Sequence, residues 1–211
     1  MTNARLFYVL CFCVLFPSCS KKEDTAKINM AFNNYVKFAK EHDYGNLAET
    51  VSDKTLRYFA QCIDFARYSS KDEVTHLPYV DKILVYYIRV AIPEERIYSL
   101  DAKSFLKYSN ELKLINLDSL QKMMLKDIKI DKNTASANIY DSLGRYSCPL
   151  GFEKKGNAWK VNLLPTINMI NSFLHSHEDK SVNNDISIIR DIAKELNVSI
   201  DTNTILNPMV N

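Results

Sequence analysis

The hydrophobic pattern of this chain changes its period once, and that change limits the folds available to it. Up to about residue 124, apolar residues recur every three or four positions, which is the spacing of a helix with one buried face. Over residues 127–163 they alternate with polar residues, which is the spacing of a half-buried strand. Short polar turns separate four such strands and favour an antiparallel meander. The sequence therefore predicts an α+β fold with N-terminal helices packed on a four-stranded sheet.

Three helices are predicted before the change, over residues 25–42, 52–68 and 78–93. Thr25 and Ser52 begin the first two, and their side chains can accept hydrogen bonds from the free amides of a helix N-terminus. The third helix is apolar on nearly every side, so we expect it to be buried.

Further helices are expected after Asp101 and Asp118, after Pro165 and over residues 185–196, with a hinge at 175–184. Each strand is expected to bury one side of its pleat. The residues predicted to point inward are Ile128, Ile130, Ala135, Ala137, Ile139, Tyr146, Cys148, Leu150, Phe152, Trp159, Val161 and Leu163.

The N-terminus has the features of an export signal. Arg5 precedes a run of uncharged, apolar residues at 6–16. A signal-peptide core spans about 7–15 residues, whereas a membrane-spanning helix needs about 20. Ser18 then precedes Cys19, and the segment resembles a bacterial lipoprotein signal with its lipobox. That resemblance implies cleavage before Cys19 and acylation of its thiol, as with palmitate. The alternative is an ordinary secretory signal, or an apolar helix, in which Cys19 has no such role.

On the lipoprotein interpretation, residues 1–18 are a signal peptide and residues 19–26 are a tether. The protein is then expected to be lipid-anchored to a Gram-negative envelope, at the outer membrane, either periplasmic or surface-exposed. Glu23 and Asp24 resemble a weak form of the acidic signal of surface-displayed lipoproteins, and the alternative is a solvated tether of no special meaning. The membrane is a partner through the lipid on Cys19, because several acyl chains bind a bilayer tightly.

The predicted meander ends in FEKKGNAWKV, at residues 152–161. This order of helices followed by a meander resembles the NTF2-like (cystatin-like) superfamily. The resemblance covers residues 27–174, with a helical insertion at about 71–124, and leaves 175–211 as a C-terminal helix and tail. It implies a curved sheet that wraps a helix and leaves a cone-shaped pocket. The superfamily includes isomerases, hydrolases, ligand binders and scaffolds, so the resemblance does not determine a function.

Charge and composition exclude several classes of function. Removal of residues 1–18 takes away one of 27 basic residues and none of 25 acidic ones, which leaves a net charge of 26 − 25 = +1. A nucleic-acid-binding protein would carry a strong basic excess. The four glycines form no phosphate-binding loop, and no nucleophile elbow or zinc motif is present. Cys62 and Cys148 lie on predicted core faces, where we expect free thiols rather than a disulfide. We therefore predict no catalytic, cofactor-binding or metal-binding residue.

Asp127 and Tyr140 are the nearest approach to a catalytic pair, with Asp141 and Tyr146 on the same predicted hairpin. Enzymes that resemble this fold use an Asp with a Tyr or His inside the cone. The favoured alternative is a solvated strand edge, because a carboxylate with a perturbed pKa needs a buried cleft.

His175 and His177, followed by Glu178 and Asp179, could bind a metal. Residues two apart on a helix point to different sides, so a polar helix end is the favoured interpretation. A tyrosine-rich segment could line a ligand or partner surface, although helix packing is favoured for it. Its members are Tyr79, Tyr86, Tyr87, Tyr98 and Tyr108.

The expected function is that of a non-enzymatic, envelope-anchored lipoprotein that binds a protein partner or a small ligand at the membrane surface. One alternative is an NTF2-like isomerase or hydrolase with a carboxylate in its cone pocket. A second alternative is an immunity or inhibitor lipoprotein, which small size and surface attachment permit.

Overall fold

The structure, a computed structural model, describes residues 17–111, 123–175 and 182–209. The helices before the sheet are α1 (Pro17–Lys40), α2 (Tyr44–Thr50), α3 (Asp53–Tyr68), α4 (Lys71–Thr75), α5 (Tyr79–Ala91), α6 (Glu94–Ile97) and α7 (Ala102–Glu111). The strands are β1 (Met124–Asp131), β2 (Thr134–Tyr140), β3 (Tyr146–Lys155) and β4 (Ala158–Asn162). They are followed by α8 (Leu164–His175), α9 (Val182–Leu196) and α10 (Thr202–Leu206).

The four strands form one antiparallel sheet in the order β1-β2-β3-β4. This confirms the predicted α+β fold with a four-stranded meander. Because consecutive strands are antiparallel, the β1–β2 and β3–β4 turns lie at one end of the sheet. The β2–β3 turn, at residues 141–145, lies at the other end.

The inner face of the sheet packs against α1, which contacts both β4 and β1. Each strand contributes alternate residues to this face, as period-two burial requires. The buried side chains between helix and sheet include Ile28, Phe32, Tyr35, Ala135, Ala137, Ile139, Leu150, Phe152, Trp159 and Val161. The predicted inward residues of β2 and β4 are therefore confirmed.

Tyr146 was expected on the inner face, and that prediction was wrong. Ile139 pairs with Cys148 whereas Tyr140 pairs with Tyr146, so Ser147 is an extra residue in β3. A β-bulge of this kind reverses the alternation of side chains beyond it. Tyr146 is consequently 52% exposed and lies beside Tyr140 on the outer face.

The outer face of β3 is covered by α8. A Cβ atom on Gly151 would lie 3.1 Å from the Pro165 ring and 3.3 Å from the Asn162 carbonyl oxygen, so a larger residue would require these neighbours to shift by a few tenths of an ångström. The Thr166 hydroxyl donates to the Pro149 carbonyl at 2.6 Å. From there α8 continues along β3 towards the β2–β3 turn.

The predicted helix boundaries are confirmed in part. The Ser52 hydroxyl accepts from the Thr55 amide at the start of α3, Pro78 immediately precedes α5, and the Asp101 carboxylate accepts from the Ser104 amide at the start of α7. Thr25 is not a cap, because α1 begins at Pro17 and the Thr25 hydroxyl donates to the Lys21 carbonyl inside it. Asp118 lies outside the described residues, and so does most of the predicted hinge.

Buried polar groups attach α9 and α10 to the body of the protein. Asp185, in the first turn of α9, accepts from Thr75 at 2.5 Å and from Tyr86 at 2.9 Å. The Lys82 ammonium lies 3.3 Å from the same carboxylate, and both side chains are fully buried. Arg89 donates to carbonyls at the C-terminus of α3 and to those of Ile205 and Leu206.

Candidate functional site

A cluster of apolar, aromatic and polar side chains lies at the end of the sheet that carries the β2–β3 turn. We call this cluster the tyrosine face. It consists of Met124, Asp127, Asn138, Tyr140, Leu143, Tyr146, Met169 and Ile170. Its members come from all three outer-face elements near that turn, namely β1, the β2–β3 hairpin and α8.

The two tyrosines form the centre of the tyrosine face. Tyr140 and Tyr146 are paired across the strands, and their rings meet edge to face with centroids 5.9 Å apart. Met124 is paired with Tyr140 on the other side, and the Tyr146 hydroxyl lies 3.8 Å from the Met169 sulfur. Such cross-strand contacts hold the rings in place. These contacts bring Met124, Tyr140, Tyr146 and Met169 together at the centre of the tyrosine face.

Leu143 is the most exposed apolar residue of the tyrosine face, with 76% of its surface accessible. It lies at the tip of the β2–β3 turn, which the Asp141 carboxylate closes by accepting from the amides of Leu143 and Arg145. Gly144 adopts a φ of +77°, which the turn requires and glycine allows. Asp141, a predicted candidate for chemistry, thus stabilises the turn that presents Leu143.

Asp127 is held in the tyrosine face by a bulge in β1. Lys126 pairs with Asn138 and Lys129 with Ser136, so two residues of β1 oppose one of β2. Asp127 has a φ of +55°, in the left-handed region that Asp tolerates better than most residues. Its carboxylate accepts from the Tyr140 hydroxyl at 2.8 Å and from the Asn138 amide at 3.1 Å. The structure thus brings the predicted pair together.

The hydrogen bond between Tyr140 and Asp127 shifts the pKa values of the two groups in opposite directions. The hydrogen bond from Tyr140, followed by that from Asn138, lowers the pKa of Asp127, and the same bond raises the pKa of Tyr140. Asp127 is exposed, as the favoured interpretation predicted. A general base works best when its pKa is raised towards neutrality. The Lys126 ammonium, 5.0 Å from the Tyr140 ring centroid, adds a cation to the same surface.

The opposite end of the sheet carries a second polar cluster, which the sequence did not reveal. Asp24, only 8% exposed, accepts from the Lys154 ammonium at 2.8 and 3.1 Å and from the Trp159 indole at 2.9 Å. These hydrogen bonds, with that from Lys154 first, lower the pKa of Asp24. We call Asp24, Lys154 and Trp159 the α1 clamp, because they fix α1, at its third turn, to β3 and β4. Asp24 was predicted to lie in a tether or an acidic sorting signal, and the structure places it in α1.

The other predicted candidates do not join the tyrosine face. His177, Glu178 and Asp179 lie outside the described residues, and nothing is described of the His175 side chain. Elsewhere in the described chain, no group of three His, Cys, Asp or Glu side chains has metal-binding geometry. Cys62 and Cys148 are free, and burial raises the pKa of the Cys62 thiol to about 12.

The tyrosine-rich segment mainly packs inside the helical layer. Tyr86 and Tyr87 are buried in α5, Tyr79 and Tyr108 are half-buried, and Tyr98 is 63% exposed. The favoured packing interpretation is therefore confirmed for the two residues of α5. Tyr98 lies after α6 and is separate from the tyrosine face.

Two grooves among the described residues share no lining residue with the tyrosine face. One, of about 310 Å³, runs between α1, α2 and β4 and includes Met30 and Trp159. The other, of about 430 Å³, lies beside α10. Within the described ranges, no helix is long and apolar enough to cross a membrane.

Comparison with known proteins adds no assignment: the chain matches no protein-family model, no curated protein and no solved structure.

Proposed function

We propose that this chain is an envelope-anchored lipoprotein, attached through Cys19, whose domain binds a protein partner through the tyrosine face. The anchor rests on the signal-like N-terminus with Ser18 and Cys19 at its end. The binding role rests on one observation, which is the exposed aromatic and apolar surface around Tyr140 and Tyr146.

The chemistry of the tyrosine face suits a protein better than a small molecule. Interfaces between proteins are enriched in Tyr and Met at their centre and have a polar rim. Here Tyr140 and Tyr146 form the centre, and the charged groups of Lys126, Asp127 and Arg145 surround it. Small-molecule sites are concave, whereas these side chains lie on the outer face of a sheet and on a turn. Exposed apolar surface of this kind is a mark of protein interaction sites.

We further propose an NTF2-like domain. Helices precede a four-stranded meander, α1 contacts both edge strands of the sheet, and FEKKGNAWKV forms the β3–β4 hairpin. In place of an open cone, the described inner face is filled by side chains such as Phe32, Tyr35 and Phe152. This filling favours a binding role on the outer surface over chemistry within the sheet.

The partner prediction is tested by affinity capture from detergent-solubilised envelopes with matched variants. Tyr146→Ala and Leu143→Asp disrupt the tyrosine face, whereas Tyr98→Ala removes a somewhat more exposed tyrosine elsewhere. We expect a partner that is recovered with the wild type and with Tyr98→Ala and is lost with the other two. Equal recovery by all variants, or recovery of no partner, would contradict the proposal.

The anchor is tested by metabolic labelling with palmitate. Cys19→Ala should abolish the label, and Cys148→Ser, which changes a cysteine outside the signal, should retain it. Label that persists in Cys19→Ala would contradict attachment at Cys19 and show that the lipid is attached elsewhere.

A further inference from the structure

We infer that the end of the domain formed by the β1–β2 and β3–β4 turns lies on the headgroup layer of the membrane, so that the tyrosine face points away from it. This inference rests on the proposed lipid attachment at Cys19. It adds an interaction surface, which we call the anchor end: Lys21, Lys22, Lys132, Asn133, Lys155 and Asn157.

The first observation is that the attachment residue is joined to the domain by a helix. The backbone of Cys19 belongs to α1, which continues to Lys40. Asp24 follows five residues later, which is a rise of about 7.5 Å along a helix. At Asp24 the α1 clamp fixes this helix to β3 and β4 through Lys154 and Trp159. The lipid is therefore held close to one defined point of the sheet.

The second observation is that this point lies at the end of the sheet with the two turns. The Lys154 amide donates to the Asn133 carbonyl in the β1–β2 turn at 2.8 Å. The Lys27 ammonium donates to Asn157 in the β3–β4 turn at 2.7 Å. Lys154 of the α1 clamp thus adjoins the β1–β2 turn, and Lys27 of α1 contacts the β3–β4 turn. The seven residues of β2 place the tyrosine face about 20 Å further along the sheet.

The third observation is the charge of the anchor end. Lys21, Lys22 and Lys132 are exposed, and Lys132 lies at a turn with a φ of +52°. Most acidic residues at this end are paired with lysines: Glu23 with Lys27, Asp24 with Lys154, Asp53 with Lys155 and Glu153 with Lys54. Asp131 is exposed as well and offsets one of the three lysines. Lysines beside an anionic lipid surface are attracted to it. A bilayer that contains phosphatidylglycerol supplies the matching charge.

The inference is tested with fluorescent labels at the two ends of the sheet. The lipidated protein carries Cys148→Ser with either Asn133→Cys or Ser142→Cys, both at exposed turn positions. Each is labelled and reconstituted in vesicles of phosphatidylcholine and phosphatidylglycerol that contain a headgroup-attached quencher. We expect strong quenching at residue 133 and little at residue 142. Equal quenching, or stronger quenching at residue 142, would overturn the inference.

Two sets of variants test the contribution of the α1 clamp and that of the anchor-end lysines separately. Asp24→Ala should reduce the difference between the two labels, whereas Glu23→Ala, which changes the neighbouring exposed acid, should preserve it. An unchanged difference in a folded Asp24→Ala protein would rule out the clamp, and if this variant does not fold, the wild-type labels alone decide.

Combined replacement of Lys21, Lys22 and Lys132 by Glu should lower quenching at residue 133, and unchanged quenching would rule out the role of the lysines.

The mass of each purified protein shows whether Cys19 carries lipid. This measurement distinguishes a failure of the orientation from a failure of the lipoprotein proposal. A protein without lipid on Cys19 would overturn both proposals. A lipidated protein with reversed labels would overturn the orientation alone and leave the lipoprotein proposal intact.

Discussion

Asp185 shows how much of this fold depends on single polar residues inside it. Its carboxylate is fully buried and faces the Lys82 ammonium and the hydroxyls of Thr75 and Tyr86. The sequence places Asp185 only at the start of an amphipathic helix. Its partners are about a hundred residues away, so no local pattern marks it as buried.

We expect Asp185→Ala to lower the free energy of unfolding by about 3–5 kcal/mol, because it removes the carboxylate that compensates a buried ammonium. Urea denaturation followed by circular dichroism measures this loss. Asp191→Ala, at an exposed position of the same helix, is the control and should change stability little. Similar values for the two variants would show that the buried pair contributes nothing.

The backbone at Asp127 gives a second prediction at this scale. Asn tolerates a positive φ and can still accept a hydrogen bond from Tyr140, whereas a β-branched residue fits this conformation poorly. Asp127→Asn keeps the backbone conformation and loses only the charge, so it should lower the urea midpoint less than Asp127→Val does. A Val variant as stable as the Asn variant would mean that the bulge relaxes without cost.

Arg89 acts between elements, since its guanidinium joins the end of α3 to α10 through carbonyl groups of both. Burial lowers the pKa of Arg89 to about 10, and carbonyls at two helix C-termini compensate its charge. Lysine has three donors in place of five and lacks the planar guanidinium fork, so it cannot replace all of the hydrogen bonds that Arg89 makes.

Arg89→Lys should cost about 2–3 kcal/mol of stability, since carbonyls that lose a charged donor remain partly buried. Relative to the wild type, hydrogen exchange in Arg89→Lys should accelerate more in α10 than in the sheet. Arg190→Lys, exposed in α9, provides the comparison. Uniform exchange changes throughout the protein would argue against a local role for Arg89.

The elements themselves were largely predictable, and their irregularities were not. The change of hydrophobic period predicted the four strands, and Ser52, Pro78 and Asp101 predicted helix starts, because these signals are local. The bulges at Asp127 and Ser147 depend on how two strands align, so the sequence of either strand alone does not show them. These bulges determine which side chains lie on the outer face of the sheet. The sequence therefore pointed to Tyr140 and Tyr146 but could not predict that they lie side by side in the tyrosine face.

At the scale of the whole molecule, the carboxylates predict how stability depends on pH. Hydrogen bonds and ion pairs lower the pKa of Asp24, Asp53 and Asp127 below the ordinary value of 3.8 and that of Glu49 below 4.5. Groups with a lowered pKa in the folded state contribute stability above the unfolded pKa, and this stability is lost as pH falls through the folded pKa.

The urea midpoint should therefore be nearly constant from neutral pH down to about 5 and should fall below about 4. Asp24→Asn should show a weaker fall, because its contribution is already absent at neutral pH. A midpoint that rises on acidification would contradict the assignment of these carboxylates as favourably placed ions.

The contact between Thr75 and Asp185 spans 110 residues, and this separation affects the order of folding. A chain made from its N-terminus has α4, α5 and the whole sheet before the residue that completes the buried polar cluster exists. Contacts between distant residues slow folding, because a long loop must close before they form. We therefore expect early intermediates to lack a docked α9, and shortened chains that end before Asp185 to remain incompletely folded and prone to aggregation.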